Sequence, residues 1–303
     1  MAPDLGSPRT ALHLGSPRTA LHLGSPRTAP DPARPRATPR RAPLALAAVF
    51  TLALALALAP AGPAGAAAAG RAPVAPSYGT HRTGSTAGPV EKLYGAEVRR
   101  IPTTAHTVAL TFNAAWDEQG LATVLEVLRQ QDAPATFFLT GQFAERHPAA
   151  ARTIAAARQG IANHSYSHAP FGKLTPAQRA GEITRADRAI REATGIVPLP
   201  FFRFPYGDTT PEQIAEVNRL GYADIEWTTD TTGYKGAATG MTVQKAVKRA
   251  VDALRPGAII QMHVGSLDGQ GDVLDAQALS QIIDAVRTRG YTVTSLNTLL
   301  TPA

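Results

Sequence analysis

Cysteine is absent from this chain of 303 residues. Disulfides, thiol catalysis and cysteine-ligated zinc are therefore excluded, and histidine, aspartate and glutamate remain as the strong metal ligands. No Gly-x-Gly-x-x-Gly motif follows the first strand-like run, which argues against dinucleotide binding. The motif His-Glu-x-x-His is also missing, so a zincin-type protease is excluded.

Basic patches are lacking in most of the chain, although its formal net charge is +7. Residues 1–70 contain seven arginines and two aspartates, which account for five of the seven net positive charges. No stripe of lysine or arginine with interleaved aromatic residues follows residue 71. We therefore expect no binding of nucleic acid.

The N-terminal third contains three segments that lack the pattern of a folded domain. Residues 1–42 repeat the sequence GSPRTALHL and are predicted to be disordered and of low complexity, unless the reading frame starts further downstream. Residues 43–70 combine a basic flank, an apolar run and small residues, which predicts a secretory signal peptide or membrane anchor. The apolar run would span about 24 Å as a helix, short of a hydrocarbon core of about 30 Å, so cleavage is favoured. Residues 71–104 are predicted to be a linker.

This N-terminal pattern predicts export. We expect the protein to be secreted or associated with the cell envelope, with membrane contact only through the signal or anchor. An adhesive or structural role for the repeat is an alternative from another functional class. The signal-like segment that follows the repeat argues against it.

From about residue 105, apolar strand-like runs alternate with helical patterns, among them residues 143–159 and 176–193. Seven buried strands separated by helices predict a single α/β domain over residues 105–303, arranged as a parallel barrel. An open, doubly wound sheet is the structural alternative. The predicted strands cover residues 107–112, 135–139, 160–163, 198–204, 222–227, 257–263 and 291–296.

Polar residues of catalytic type follow five of these strands, where α/β folds place their active sites. His164 and His168 are four residues apart, and a helical turn or tight loop would bring both rings to one metal ion. A surface pair without function is the alternative. The other residues at strand ends are Asn113, Asp117, Arg203, Tyr206, Asp230 and His263.

The chain contains, in this order, the segments TVALTFNAAWDE, TFFLTG, NHSYSH, RFPYG, WTTDTTGYKG and PGAIIQMH. These six segments resemble the motifs of the polysaccharide deacetylases, which are carbohydrate esterase family 4 or NodB homology domains. The resemblance covers about residues 105–300 and keeps the order of the motifs. It implies a distorted (β/α) barrel and a metal-dependent hydrolase.

The resemblance implies a role for each matching residue. His164 and His168 would bind a divalent metal, with zinc as the expected ion, which polarises an acetyl carbonyl. His263 would act as general acid, and the backbone N–H of Tyr206 would stabilise the oxyanion.

Two further pairs follow from the same resemblance. Arg203 and Asp230 would orient the acid and the base by charge-assisted hydrogen bonds. Trp227 and Tyr234 would line the glycan groove or fill the core.

The first motif departs from the family pattern, in which two aspartates serve as general base and third metal ligand. Here Asn113 and Ala114 occupy those places, and neither side chain can do that chemistry. One hypothesis is that Asp117 replaces the missing ligand or base, with Glu118 a weaker candidate. The other is a catalytically silent, glycan-binding relative.

The resemblance thus predicts a hydrolase that removes acetyl groups from an exported or cell-wall polysaccharide. It would cleave carbon–nitrogen amide bonds, not peptide bonds, and O-acetyl groups are an open alternative. The expected partners are peptidoglycan, chitin-like polymers or xylan.

Overall fold

The computed structural model describes residues 88–267, 269 and 273–301, all within one compact unit. The predicted repeat at 1–42 and the predicted signal at 43–70 lie outside these residues, as do residues 71–87 of the predicted linker. Within the described part of the chain, no helix is long and apolar enough to cross a membrane.

The strands of the described residues form one curled sheet, and all of their pairings are parallel. The strands are β1 (Glu97–Val98), β2 (Thr107–Ala114), β3 (Ala135–Leu139), β4 (Gly160–Asn163), β5 (Phe201–Phe202), β6 (Ala223–Ile225), β7 (Thr229–Asp230), β8 (Ala258–His263) and β9 (Thr292–Thr294). Their order is β1-β6-β5-β4-β3-β2-β8-β7, and β9 also pairs with β2. The predicted distorted (β/α) barrel is confirmed.

Helices connect most of these strands and cover the sheet. They are α1 (Leu121–Gln130), α2 (Gly141–Arg146), α3 (Pro148–Ala156), α4 (Pro176–Thr194), α5 (Pro211–Arg219), α6 (Val243–Asp252) and α7 (Leu274–Thr288). Strands β2 and β3 consist almost wholly of buried residues, as expected for parallel strands with both faces covered.

Local sequence signals set the ends of α4 well. Thr175 and Gln178 form a capping box with Pro176 in the first turn, and Gly195 closes the helix at a positive φ of 73°. By contrast, residues 143–159 were predicted as one helix and form parts of two. Pro148 begins α3 because its ring lacks the N–H that a continuous helix would need at that point.

The folded domain begins earlier than the sequence predicted. Strand β1 lies in the predicted linker 71–104, pairs with β6, and contributes the buried side chain of Val98. Ile101 is buried as well. Two residues per strand are too few to show a periodicity, which is why β1 and β7 escape a pattern-based prediction.

Strand register brings the polar residues to one end of the sheet. Asn113 pairs in register with His263 on β8, and Asn163 at the end of β4 pairs with Phe202 on β5. Because all these strands are parallel, their carboxyl ends lie at the same edge. The residues that follow them therefore surround a single cavity.

Candidate active site

A cavity of about 400 Å³ opens at the carboxyl ends of the strands. Trp116, Tyr206 and Leu267 are its exposed large side chains, with exposed fractions of 46%, 63% and 66%. Among the described residues that line it, Asp230 is the one carboxylate. The lining consists of Asn113, Ala115, Trp116, His168, Phe204, Tyr206, Trp227, Asp230, Tyr234, Gln261, His263, Gly265, Ser266 and Leu267.

The histidine pair lies in a tight loop after β4, which is one of the two arrangements that the sequence allowed. Ser165 and His168 adopt positive φ values of 65° and 58°, uncommon for residues with a side chain. The Glu182 carboxylate on α4 holds this loop by accepting bonds from the backbone N–H groups of Tyr166 and Ser167. The two imidazole rings are thereby brought to a centroid distance of 4.7 Å.

Ring nitrogens of both histidines lack a partner among the described residues. His164 Nδ1 donates to the carbonyl of Arg203 at 2.9 Å, which leaves its buried Nε2 as an unpaired acceptor. The buried Nδ1 of His168 is likewise unpaired. Burial, reinforced by the neighbouring His168, holds the pKa of His164 well below its ordinary value. Burial and the nearby His263 lower the pKa of His168 to about 4.

These features fit two ligands of a divalent metal. Neutral imidazoles with free lone pairs are what such an ion requires, and the hydrogen bond from His164 Nδ1 fixes the tautomer that leaves Nε2 free. Ala114, which stands where the family pattern has a ligand, is buried and offers only a methyl group. In the described ranges no group of three or more histidines and carboxylates is placed to hold a metal.

Asp117 lies behind Gly265 and Ser266 of the cavity lining, where its carboxylate joins two loops. One oxygen accepts the N–H of Gln119 at 3.1 Å, and the other accepts the N–H of Ser266 at 3.2 Å. A Cβ on Gly265 would approach the second oxygen to 2.4 Å, so glycine permits this close packing. The proposed replacement of the third ligand by Asp117 would require these bonds to break. Glu118 contacts His147, with 3.6 Å between Oε1 and Nδ1.

Arg203 lies wholly buried beneath the cavity. Its Nε and Nη2 donate to the carbonyls of Ile225 and Glu226, and its Nη1 donates to Thr111 Oγ1 and Asn113 Oδ1. All four acceptors are neutral. Burial lowers the pKa of Arg203 to about 10.

Two buried acids, Asp224 and Glu226, lie near Arg203. Asp224 and Glu226 face the same side of the sheet from alternate positions, and Glu226 Oε1 accepts the N–H of Phe204 at 3.0 Å. Burial raises the pKa of both groups, and the two carboxyl groups are close enough to share a proton. Three of their four oxygens have no other partner among the described residues.

Asn113 belongs to a row of polar side chains across the cavity floor. Its Oδ1 accepts from Arg203 at 2.9 Å, and its Nδ2 donates to Gln261 Oε1 at 3.2 Å. The Nε2 of Gln261 donates to Asp230 Oδ2 at 3.2 Å. We call Asn113 and Gln261 the amide relay.

His263 ends β8 on the cavity wall, with two carboxylates beside it. Its Nδ1 lies 3.6 Å from Asp275 Oδ2 and 4.0 Å from Asp230 Oδ1. Asp275 is wholly buried and also accepts the backbone N–H of His263 at 2.9 Å. The Tyr234 ring packs on the imidazole at a centroid distance of 4.3 Å.

Tyr206 and Trp227 lie on the opposite wall. Tyr206 has a positive φ of 66°, and its ring contacts His168 at a centroid distance of 4.7 Å. The Trp227 ring lines the cavity and also packs against a core cluster. A Cβ on Gly207 would come within 2.6 Å of this ring, which requires glycine there.

The structure thus brings most of the predicted site residues to one cavity and holds Asp117 apart from the histidine pair. The roles of these residues stay predictions. Sequence reasoning missed Gln261, Asp275, Asp224 and Glu226. Three of these did carry a signal, because polar residues within or next to a buried strand need a partner. They are Gln261, Asp224 and Glu226.

Comparison with known proteins agrees with this fold. The family model described as polysaccharide deacetylase matches residues 100–225. A chitooligosaccharide deacetylase of Bradyrhizobium is 32% identical over 195 residues, covering 62% of this chain and 87% of that protein. A peptidoglycan-N-acetylglucosamine deacetylase of Bacillus cereus is 30% identical over 186 residues, covering 60% and 64%.

A pseudoenzyme of known structure is also similar. The wild-type form of a carbohydrate esterase family 4 pseudoenzyme from Bacillus anthracis has a TM-score of 0.62 and 28% identity, covering 70% of this chain and 71% of that one. The chain belongs to the polysaccharide deacetylase family, and the resemblance drawn from its motifs is confirmed.

Proposed function

We propose that this protein removes acetyl groups from an N-acetylated glycan, with His263 as the group that transfers protons. The observation that carries this proposal is the position of His263 on the cavity wall beside two carboxylates. The usual base position holds an amide, Asn113, which cannot take up a proton. His263 is therefore the best placed side chain for acid–base work.

We further propose that His164 and His168 bind a divalent metal, with zinc as the expected ion. When bound, such an ion polarises the acetyl carbonyl and lowers the pKa of a water molecule. The unpaired nitrogens of the two histidines support this assignment. The tight loop after β4 holds both rings in place before any metal arrives, which favours binding.

The proton balance of the reaction needs a single mobile proton. His263 accepts it from water as the oxygen attacks the acetyl carbon, and returns it to the amine nitrogen as the carbon–nitrogen bond breaks. Asp275 and Asp230 stabilise the imidazolium formed between these two events. The products are acetic acid and a glycan with a free amine, and the acid then loses its proton to the amine or to solvent to give acetate.

The cavity rim supports a carbohydrate substrate. Trp116 and Tyr206 expose their rings on either side of His168, and sugar rings can pack their apolar faces on such aromatic surfaces. The named relatives act on chitooligosaccharide and peptidoglycan. We propose a glycan of this class as the partner, and export through the N-terminal segment as the route to it.

A catalytically silent, glycan-binding protein is the second candidate. It is favoured by Asn113 at the base position, by the absence of a third protein ligand in the described part of the site, and by the similar pseudoenzyme. In this case the cavity would bind the glycan without cleaving it.

The deciding experiment is acetate release by the full chain loaded with Zn²⁺ or Co²⁺. We expect acetate from N-acetylated chito-oligosaccharide or from peptidoglycan, and at least about 100-fold less from the His263→Gln variant. No acetate from either substrate, together with measurable glycan binding, would establish the silent candidate instead.

A further inference from the structure

The amide relay has a direction that its two ends determine. Arg203 can only donate hydrogen bonds, so the atom of Asn113 that faces it must be the oxygen. Ionised Asp230 can only accept, so the atom of Gln261 that faces it must be the nitrogen. The remaining contact, from Asn113 Nδ2 to Gln261 Oε1, then joins a donor to an acceptor.

A carboxylate at position 113 would break this pattern. One of its oxygens could still accept from Arg203, but the other would face the oxygen of Gln261 at the present 3.2 Å. If Gln261 turned its amide to donate to the new carboxylate, its oxygen would face Asp230 instead. Either orientation sets two acceptors against each other in a buried place, which is costly.

The charges around Arg203 point the same way. Its four hydrogen bonds go to neutral acceptors, and the carboxyl groups of Glu226, Asp224 and Asp230 lie near enough to interact with its charge. A carboxylate at position 113 would add a further acid to this buried cluster, where like charges repel one another.

We propose that Gln261 is a positioning residue that, with Asn113, fits the site to a neutral side chain at position 113, so that restoring a carboxylate there requires a change at position 261 as well. Asn113 is then one half of a matched pair. The inference rests on the proposed function only where activity is measured.

The test is a double-mutant cycle of Asn113→Asp, Gln261→Met and the combined variant. Methionine has nearly the shape of glutamine but presents no amide oxygen to position 113. With Gln261 present, we expect Asn113→Asp to lower acetate release, because the new carboxylate would face the amide oxygen of Gln261. In the Gln261→Met background, we expect the same substitution to raise it about tenfold or more, as for coupled neighbours. Equal effects in the two backgrounds would overturn the proposal.

Thermal unfolding gives a readout that needs no activity. Asn113→Asp should lower Tm by at least about 3 °C more with Gln261 present than in the Gln261→Met background. If no protein of the set releases acetate but the Tm effects differ in this way, the proposed enzymatic function fails and the relay stands. Additive Tm shifts would reject the relay, whatever the activity.

Amide NMR of the unmodified chain covers the case in which a variant does not fold. The side-chain NH₂ protons of Asn113 and Gln261 should exchange with solvent far more slowly than those of the exposed Gln119, because each donates within the relay. Exchange as fast as that of Gln119 would contradict the proposal.

Discussion

The two halves of the cavity differ in how their polar atoms are satisfied. In the histidine half, formed by His164 and His168, buried ring nitrogens have no hydrogen-bond partner among the described residues. In the relay half, formed by Asn113, Gln261 and Asp230, each side chain is bonded to the next. Unpaired buried nitrogen is expensive unless a ligand occupies it, whereas a closed row of bonds is stable alone.

This difference separates binding from turnover. The histidine half has the features of a site that a bound metal completes. In the relay half, Asn113, Gln261 and Asp230 are already joined by hydrogen bonds, and position 113 offers no base. His263 lies between the two, with an unpaired Nδ1 and two carboxylates nearby. The following predictions test this contrast, from the largest expected effect to the smallest.

The largest effect is expected from His263→Gln, which changes the residue between the two halves. Loss of the only proposed proton carrier should reduce acetate release by about 10²–10⁴-fold, the usual contribution of a general acid or base. Zinc binding should be retained, since His263 is not one of the proposed ligands. His106→Gln, an exposed histidine outside the cavity, is the matched control and should keep full activity. Unchanged activity in His263→Gln would remove His263 from the mechanism.

The strongest test of the histidine half is His164→Ala. It removes the free Nε2 and should weaken Zn²⁺ or Co²⁺ binding by about 100-fold or more, since even residues that only support ligands contribute 10–100-fold. Isothermal titration calorimetry measures this directly. Protein with His164→Ala and His168→Ala together that still binds zinc with full affinity would show that the metal lies elsewhere.

Acid should destabilise the metal-free protein because His168, in the histidine half, is held in its neutral form. The folded-state pKa of His168 is about 4, below the ordinary value of about 6.5, so the unfolded chain binds a proton that the folded chain excludes. The contribution of this group to stability is therefore complete above about pH 6.5 and falls as the pH drops toward 4, by about 3 kcal/mol. Urea unfolding in EDTA should show this slope, and it should be flatter in His168→Gln. An equal slope in that variant would refute the prediction.

The smallest effect is expected from Asp117→Asn, which tests whether Asp117 has a structural or a catalytic role. If its carboxylate serves mainly to join the loops through Gln119 and Ser266, Asp117→Asn should cost about 1 kcal/mol of unfolding free energy. Acetate release should then persist at nearly the original rate. Loss of activity in a folded Asp117→Asn protein would instead support Asp117 as the substitute ligand or base.

The sequence predicted the larger elements of the fold and missed the shorter ones. The helix over 176–193 and the strand over 135–139 were predicted almost to the residue. Capping residues mark the helix and a continuous apolar run marks the strand, and both are local signals. The two-residue strands β1 and β7 depend on pairing with distant strands, which no local pattern reveals. Pro148 did carry a local signal, and it divides the helix that had been predicted there.

For the site, the sequence predicted which residues gather but not how they bond. Motif order located His164, His168 and His263. The partnership of Asn113 with Gln261 joins residues 148 positions apart, and that of His263 with Asp275 depends on the course of the chain after β8. Asp117 was one candidate for the third metal ligand because it follows Asn113 closely in sequence. Its carboxylate instead accepts the N–H groups of Gln119 and Ser266, and the absence of a Cβ at Gly265 leaves room for this contact.

The most direct test of the contrast between the two halves is a crystal structure of the protein with zinc bound. We predict a zinc ion bonded to His164 Nε2 and a ring nitrogen of His168, with water or glycan oxygen completing its coordination and Asp117 still bonded to Ser266. A zinc ion bonded to the Asp117 carboxylate, or one bound away from the two histidines, would contradict the account.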